Sequence, residues 1–140
     1  MKHFNIVLDT NVIISAFKSR NGASYKLVSL IGKSNFTVHL STPLFYEYEE
    51  QLPLQTQTLL EDIEVFLAFL FRVAQKHPIY FRTRPLTKDT DDDMVAELAF
   101  ACNADCIVTY NKRDFTNVGK EFGIGILTAQ EFLHQIGELQ

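Results

Sequence analysis

The apolar run Phe4-Asn5-Ile6-Val7-Leu8 stops abruptly at Asp9-Thr10-Asn11. This boundary constrains the fold more than any other stretch of the chain. A short apolar run bounded by turn-forming residues reads as a buried strand, here one that ends on a carboxylate. In an open parallel sheet, ligands bind just beyond the carboxyl ends of the strands. A carboxylate at that place faces a site rather than bulk solvent. A second acidic group, Asp91-Asp92-Asp93, opens a later amphipathic helix. Where two such groups meet, the pocket is crowded with negative charge and calls for a cation.

The rest of the chain alternates in period. Val12 to Phe17 suggests a short helix, and Lys18 to Gly22 a loop. Leu27, Val28, Leu30 and Ile31 suggest a helix stopped by Gly32. Thr37 to Leu40 reads as a second strand, followed by Thr42 as N-cap and Pro43 in the first turn. That helix carries Leu44, Phe45, Tyr48 and Leu52, and Leu52-Pro53 is expected to break it. The clearest amphipathic pattern runs from Leu59 to Lys76. Thr58 and Glu61 are spaced for a capping box at its start, and Lys76 and His77 suit its C-terminus. Ile79 to Thr83 suggests a short extended piece. Asp91 to Asp93 then open a helix that buries Val95, Leu98, Ala99 and Cys102. Cys106 to Thr109 and Gly125 to Leu127 read as strands, and Thr128 caps a last helix ending near Ile136. Strands alternating with helices define an α/β chain with a mostly parallel sheet. Right-handed crossovers bring the strand ends to one edge.

Length and composition narrow the class. The 140 residues suggest one domain spanning residues 1–140. A chain that is 46% hydrophobic and 21% charged has the balance of a globular protein. A net charge of −4 gives no overall basic footprint for coating nucleic acid, although it leaves a nuclease with an acidic metal site open. Cys102 and Cys106 read as free, buried thiols of a reducing compartment. Met1-Lys2-His3 runs straight into the first strand without a signal peptide. The longest strictly apolar stretch, Val65 to Phe71, is far shorter than a membrane span. A cytoplasmic location with no membrane association is expected. His3, His39, His77 and His134 have no ligand spacing and read as structural or surface residues.

The acids are informative only jointly. Asp9 alone is good turn chemistry, and Asp91 to Asp93 suit any helix N-terminus. Glu47 beside Glu49 and Glu50 resembles a solvated face, and Asp114 resembles a loop residue. Topology nevertheless assigns Asp9, Glu47, Asp93, Asn111 and Asp114 to one edge of the sheet. Several carboxylates within ~4–6 Å repel one another unless protons or a cation intervene. Oxygen ligands favour Mg²⁺ or Mn²⁺, one ion or two, which activate water and orient a phosphodiester.

At this point the chain resembles the PIN-domain family, particularly its bacterial and archaeal members related to toxins of toxin–antitoxin pairs. The resemblance rests on Ile6-Val7-Leu8-Asp9-Thr10-Asn11-Val12, on Thr42-Pro43-Leu44-Phe45-Tyr46-Glu47, on Asp91 through Ala99, and on Ala104 through Thr109 with Asn111-Lys112-Arg113-Asp114-Phe115. It implies a three-layer α/β/α sandwich and an endoribonuclease dependent on Mg²⁺ or Mn²⁺. Asp9, Glu47 and Asp93 are then the acidic core that holds metal, with Asp92 competing for the third place. Many members carry an aspartate where this chain has Asn111, so either Asn111 as an amide ligand or Asp114 fills the fourth position. Thr10 and Thr109 correspond to hydroxyl residues lining such sites. A homodimer and a cognate antitoxin are also implied. Phosphate contacts are expected from Lys18 and Arg20, from Lys112 and Arg113, and from Arg82 and Arg84. Two rivals stand beside this reading. One is a phosphotransfer enzyme forming an aspartyl phosphate on Asp9, although Asn11 occupies the place of the second aspartate typical of haloacid-dehalogenase-like phosphatases. The other is a catalytically weakened binding module, which Asn111 would permit.

Overall fold

The computed structural model describes residues 2–78 and 90–139. The expected extended piece Ile79–Thr83, with Arg82 and Arg84, lies outside the described residues, as does the side chain of Asp91. Five parallel strands form one sheet: β1 (Phe4–Leu8), β2 (Phe36–Ser41), β3 (Gln75–His77), β4 (Cys106–Val108) and β5 (Gly125–Leu127). Their spatial order is β3-β2-β1-β4-β5. Ile6 pairs with Val38 on one side and with Cys106 on the other, and Val108 pairs with Leu127. The chain builds outward from β1 through β2 to β3, then crosses back to lay β4 against the other side of β1.

Helices cover both faces, giving the expected three layers. They are α1 (Thr10–Lys18), α2 (Ala23–Ser29), α3 (Thr42–Gln55), α4 (Leu60–Val73), α5 (Thr90–Ala101), α6 (Thr116–Phe122) and α7 (Ala129–Gln135). On one face, Phe132 of α7 meets Phe4 and Phe36 edge-on at 5.8 and 5.4 Å between ring centroids. Helices α1 and α2 share that side, and α3 and α4 continue it through contacts such as Phe17 with Phe66. Helix α5 packs on the opposite face against β1, β2 and β4, with α6 beside it through Phe100 and Phe122. Ile6, Val7, Leu8, Leu40, Ile107 and Val108 are all buried in between. Both cysteines are free, Cys106 buried and Cys102 half-buried.

Three local expectations are corrected. Pro53 does not break α3, which continues to Gln55. Proline removes one hydrogen bond near a helix end that Leu52, fully buried, already anchors. The helix expected over Leu59–Lys76 ends at Val73, and Gln75–His77 turn outward to pair with His39–Ser41 as β3. Covering the open backbone groups of β2 outweighs one more helical turn. The Thr58–Glu61 capping box does not form; Leu59 is the N-cap and makes no side-chain cap bond.

The stretch after β4 also holds more structure than its sequence suggests. A 3-10 turn (Lys112–Phe115) leads directly into α6, which a glycine in its middle hides from propensity arguments. Gly119 is there for fit: a Cβ would stand 2.9 Å from both the Ile124 carbonyl oxygen and Ile126 Cγ1. Thr128, by contrast, caps α7 as expected, and does so with a full capping box to Glu131.

Candidate metal centre at the carboxyl edge

The order β3-β2-β1-β4-β5 reverses direction between β1 and β4. Open parallel sheets form their ligand crevice at that reversal, beyond the carboxyl ends. Asp9 follows β1 there and Thr109 follows β4. The Asp9 amide donates to the Val108 carbonyl at 2.9 Å, extending the ladder by one rung. Asp9 is only 7% exposed. Oδ1 accepts from the Thr10 amide at 2.8 Å, which makes Asp9 the N-cap of α1. Oδ2 accepts from the fully buried Thr109 hydroxyl at 2.7 Å. The same hydroxyl accepts the Asn111 amide at 2.9 Å, and Asn11 Oδ1 accepts the Tyr110 amide at 3.2 Å. Two segments far apart in the chain are thus stitched around one carboxylate.

Helix α3 starts where β2 ends, capped by the Ser41 hydroxyl accepting from the Leu44 amide at 3.4 Å. Tyr48 on α3 is fully buried and donates its hydroxyl to the Leu8 carbonyl, pinning α3 to the end of β1. Burial, and secondarily the negative Asp9, raise the Tyr48 phenol well above its ordinary range. It therefore stays a neutral donor beside an anionic site. Glu47, its half-buried neighbour, sits in the second turn of α3.

Helix α5 leads through a tight turn into the start of β4, so it runs antiparallel to the strands and its first turn lies at the carboxyl edge. Asp92 and Asp93 in that turn are half-buried. Glu97, also half-buried, falls one turn beyond Asp93 on the same helical face. It is a candidate that sequence reasoning misses; its i+4 spacing from Asp93 is the signal that points to it.

Asn111 and Asp114 are both exposed on the turn after β4. Lys112 reaches across to Glu131 on α7, with contacts of 2.9 and 3.2 Å, while Arg113 is exposed beside it. The Thr128 amide and Lys112 together hold the Glu131 carboxyl below its usual range. Lys18 ends α1 and Arg20 lies just beyond it. A helix of that length carries them roughly 13 Å along its axis from the Asp9 cap. The structure thus bonds Asp9 to Thr109, starts the helices of Glu47 and Asp93 at the same edge, and sets Lys18 and Arg20 apart from it.

The donor chemistry fits a hard cation. Every candidate ligand at this edge offers oxygen, the set that suits Mg²⁺ and Mn²⁺. Two neutral donors orient the Asp9 carboxylate, which has about four acceptor positions in its ionised form.

A family model described as a PIN domain matches residues 5–113. That span takes in Asp9, Glu47, Asp93, Thr109 and Asn111, and ends one residue before Asp114. No curated protein matches the chain by sequence. Among solved structures, the chain is similar to VapBC-1 from nontypeable Haemophilus influenzae, at 18% identity and a TM-score of 0.59, covering 90% of this chain and 98% of that one. It is also similar to VapBC2 from Rickettsia felis, solved bound to a DNA fragment from their promoter, at 16% identity and a TM-score of 0.59, covering 89% and 98%. At such identities the likeness is one of fold.

Proposed function

The chain belongs to the PIN domain family, and we propose that it is a metal-dependent endoribonuclease. The observation that carries this reading is the buried Asp9 carboxylate at the sheet's reversal point, with each oxygen fixed by a neutral donor. Asp9, Glu47 and Asp93 are the residues that would hold Mg²⁺ or Mn²⁺, with Asp92 beside them. When bound, such an ion neutralises phosphodiester charge and makes water more acidic.

The chain's own groups do the rest. Thr109 holds Asp9 in one rotamer, and through the Asn111 amide it fixes the loop that follows β4. Thr10 orients the other Asp9 oxygen. Glu47 is the candidate to accept the proton of the attacking water, because the neighbouring Tyr48 is held neutral and cannot. Asn111 offers an amide oxygen and Asp114 an anionic one from the exposed turn. Lys112 and Arg113 adjoin the site and suit RNA phosphates, with Lys18 and Arg20 available to a longer strand.

A protein partner fits the same reading. Leu60 and Phe71, 59% and 50% exposed, lie on one side of α4. An apolar surface of this kind marks interfaces. A second copy of the chain or a cognate antitoxin would cover it, making the protein the toxin of a cytoplasmic toxin–antitoxin pair.

The decisive experiment incubates the protein and Asp9→Asn with a pool of diverse RNAs, with Mn²⁺ and with EDTA. The expected result is Mn²⁺-dependent cleavage by the natural protein only, with both folded by circular dichroism. Cleavage that persists in EDTA, or full activity of Asp9→Asn, overturns the proposal.

A further inference from the structure

The four histidines show no ligand spacing along the chain, yet folding brings two of them together with a cysteine. His39 on β2 places Nδ1 2.6 Å from Nε2 of His77 on β3. Its other ring nitrogen, Nε2, lies 2.9 Å from Asn5 Oδ1 on β1. Cys102 stands just past the last turn of α5, the helix that covers this face. Its Sγ and the two imidazole nitrogens all lie within 4.8 Å of one another. His39 is 3% exposed, and His77 and Cys102 are half-buried.

Hydrogen positions follow from the partners. Asn5 Oδ1 only accepts, so the His39 hydrogen is on Nε2. A neutral imidazole has one such hydrogen, which leaves Nδ1 with a lone pair aimed at His77. Burial, with His77 next to it, lowers the His39 pKa to about 4 against an opposing pull from Asp105, so the ring is neutral. Burial also pushes the Cys102 thiol up to about 11 despite backbone hydrogen bonds from Cys102 and Ala104, and its Sγ makes a long 3.8 Å contact to the Ala99 carbonyl. The plain alternative is a hydrogen-bonded core pair with a cysteine nearby.

We propose that His39, His77 and Cys102 form a second cation site, for a borderline-soft divalent ion such as Zn²⁺, independent of the carboxylate edge. A nitrogen and sulfur ligand set selects Zn²⁺ over Mg²⁺ or Mn²⁺. Tetrahedral bonds of ~2.0 Å to nitrogen and ~2.3 Å to sulfur imply ligand separations of roughly 3.3–3.8 Å. The separations of 2.6 Å and up to 4.8 Å bracket that range, so small side-chain rotations suffice. Asn5 supplies the oxygen acceptor that zinc-binding histidines commonly use behind the ring. Asp105 adds negative potential from the strand start. On binding, the Cys102 proton leaves to solvent and the His77 hydrogen moves from Nε2 to Nδ1, freeing both ligand atoms. A fourth position remains for water. The ion would tie the edge strand β3 and the end of α5 to β2.

Co²⁺ titration of the full chain tests this, because a cobalt–thiolate bond absorbs by charge transfer in the near ultraviolet. The expected result is a one-to-one absorbance rise, reversed by Zn²⁺ and untouched by excess Mg²⁺. It is retained in Cys106→Ser and Asp9→Asn, lost in Cys102→Ser, and weakened about 10-fold or more in His77→Gln. No charge-transfer band in the folded natural protein, or a band that survives Cys102→Ser, overturns the assignment. Alkylation of the natural protein gives a second readout that needs no variant: Zn²⁺ should shield Cys102 from iodoacetamide, and an alkylation rate unchanged by Zn²⁺ overturns it equally.

Discussion

The two ends of α5 present opposite chemistries. Its first turn carries Asp92 and Asp93 to the carboxyl edge, among carboxylate oxygens and hydroxyl donors. Its far end delivers Cys102 to two imidazoles inside the sheet face. The rise of a helix separates Asp93 from Cys102 by ~13 Å along the axis. The proposed hard and soft ligand sets would thereby be held apart by most of the length of one helix. The carboxylate end opens at the reversal of the sheet, where the proposed RNA substrate would reach it. The imidazole end lies under α5, half-buried, and bridges β2 and β3, which share three ladder pairs among the described residues.

On the proposed reading, one end supplies chemistry and the other cohesion, and each role has its own measurement. The largest effect belongs to Asp9→Asn, where Mn²⁺-dependent RNA cleavage should fall by more than ~100-fold with little change in melting temperature. Next is Thr109→Val, which removes the hydroxyl from Asp9 Oδ2 and from the Asn111 amide. It should lower activity or Mn²⁺ affinity about 10–100-fold, the usual effect of removing a group that orients a ligand. A loss in Thr109→Val matched by an equal loss of stability would reduce the hydroxyl to a packing role.

At the imidazole end the expected effect is on stability and its pH dependence. His39 titrates at about 4 in the folded chain against 6.5 in the unfolded one. Between those values the unfolded chain binds more protons, so stability falls as pH drops through this window. The loss from pH 7 to pH 5 should be about 2 kcal/mol from this residue, read by denaturant unfolding. His77, Asp105 and Cys102 all face or act on the same ring. His39→Asn should flatten that slope, and a slope that persists there would assign it to the carboxylates instead. The smallest effect is Tyr48→Phe, which leaves the Leu8 carbonyl without its hydroxyl donor. It should cost about 1–2 kcal/mol of stability, measured by the same unfolding.

The sequence reveals these two ends unequally. Asp9, Thr109 and the first turn of α5 are legible because each sits at a boundary that period and turn chemistry mark. A parallel sheet then brings such boundaries to one edge without further information. The His39–His77 pair is not legible, because it depends on strand register. Ser41 pairs with His77 only because the chain leaves α4 at Ala74 to form β3, and local helical pattern argues the other way. Helix α6 is hidden for a related reason. Gly119 lowers its propensity, and the close approach to Ile126 that requires a glycine is visible only in three dimensions.

Lys112 adds a consequence for any polyanion that approaches. Its ammonium already has an internal counter-ion, Glu131, whose carboxylate also accepts the Thr128 amide at the start of α7. A phosphate arriving at Lys112 must therefore trade places with a carboxylate instead of settling on a bare charge. The gain from that one contact is a difference between two anions, and the released Glu131 falls back on its helix-capping bond. Attraction at this corner of the surface is self-limiting, which in the proposed nuclease would favour release of a cleaved strand over its retention.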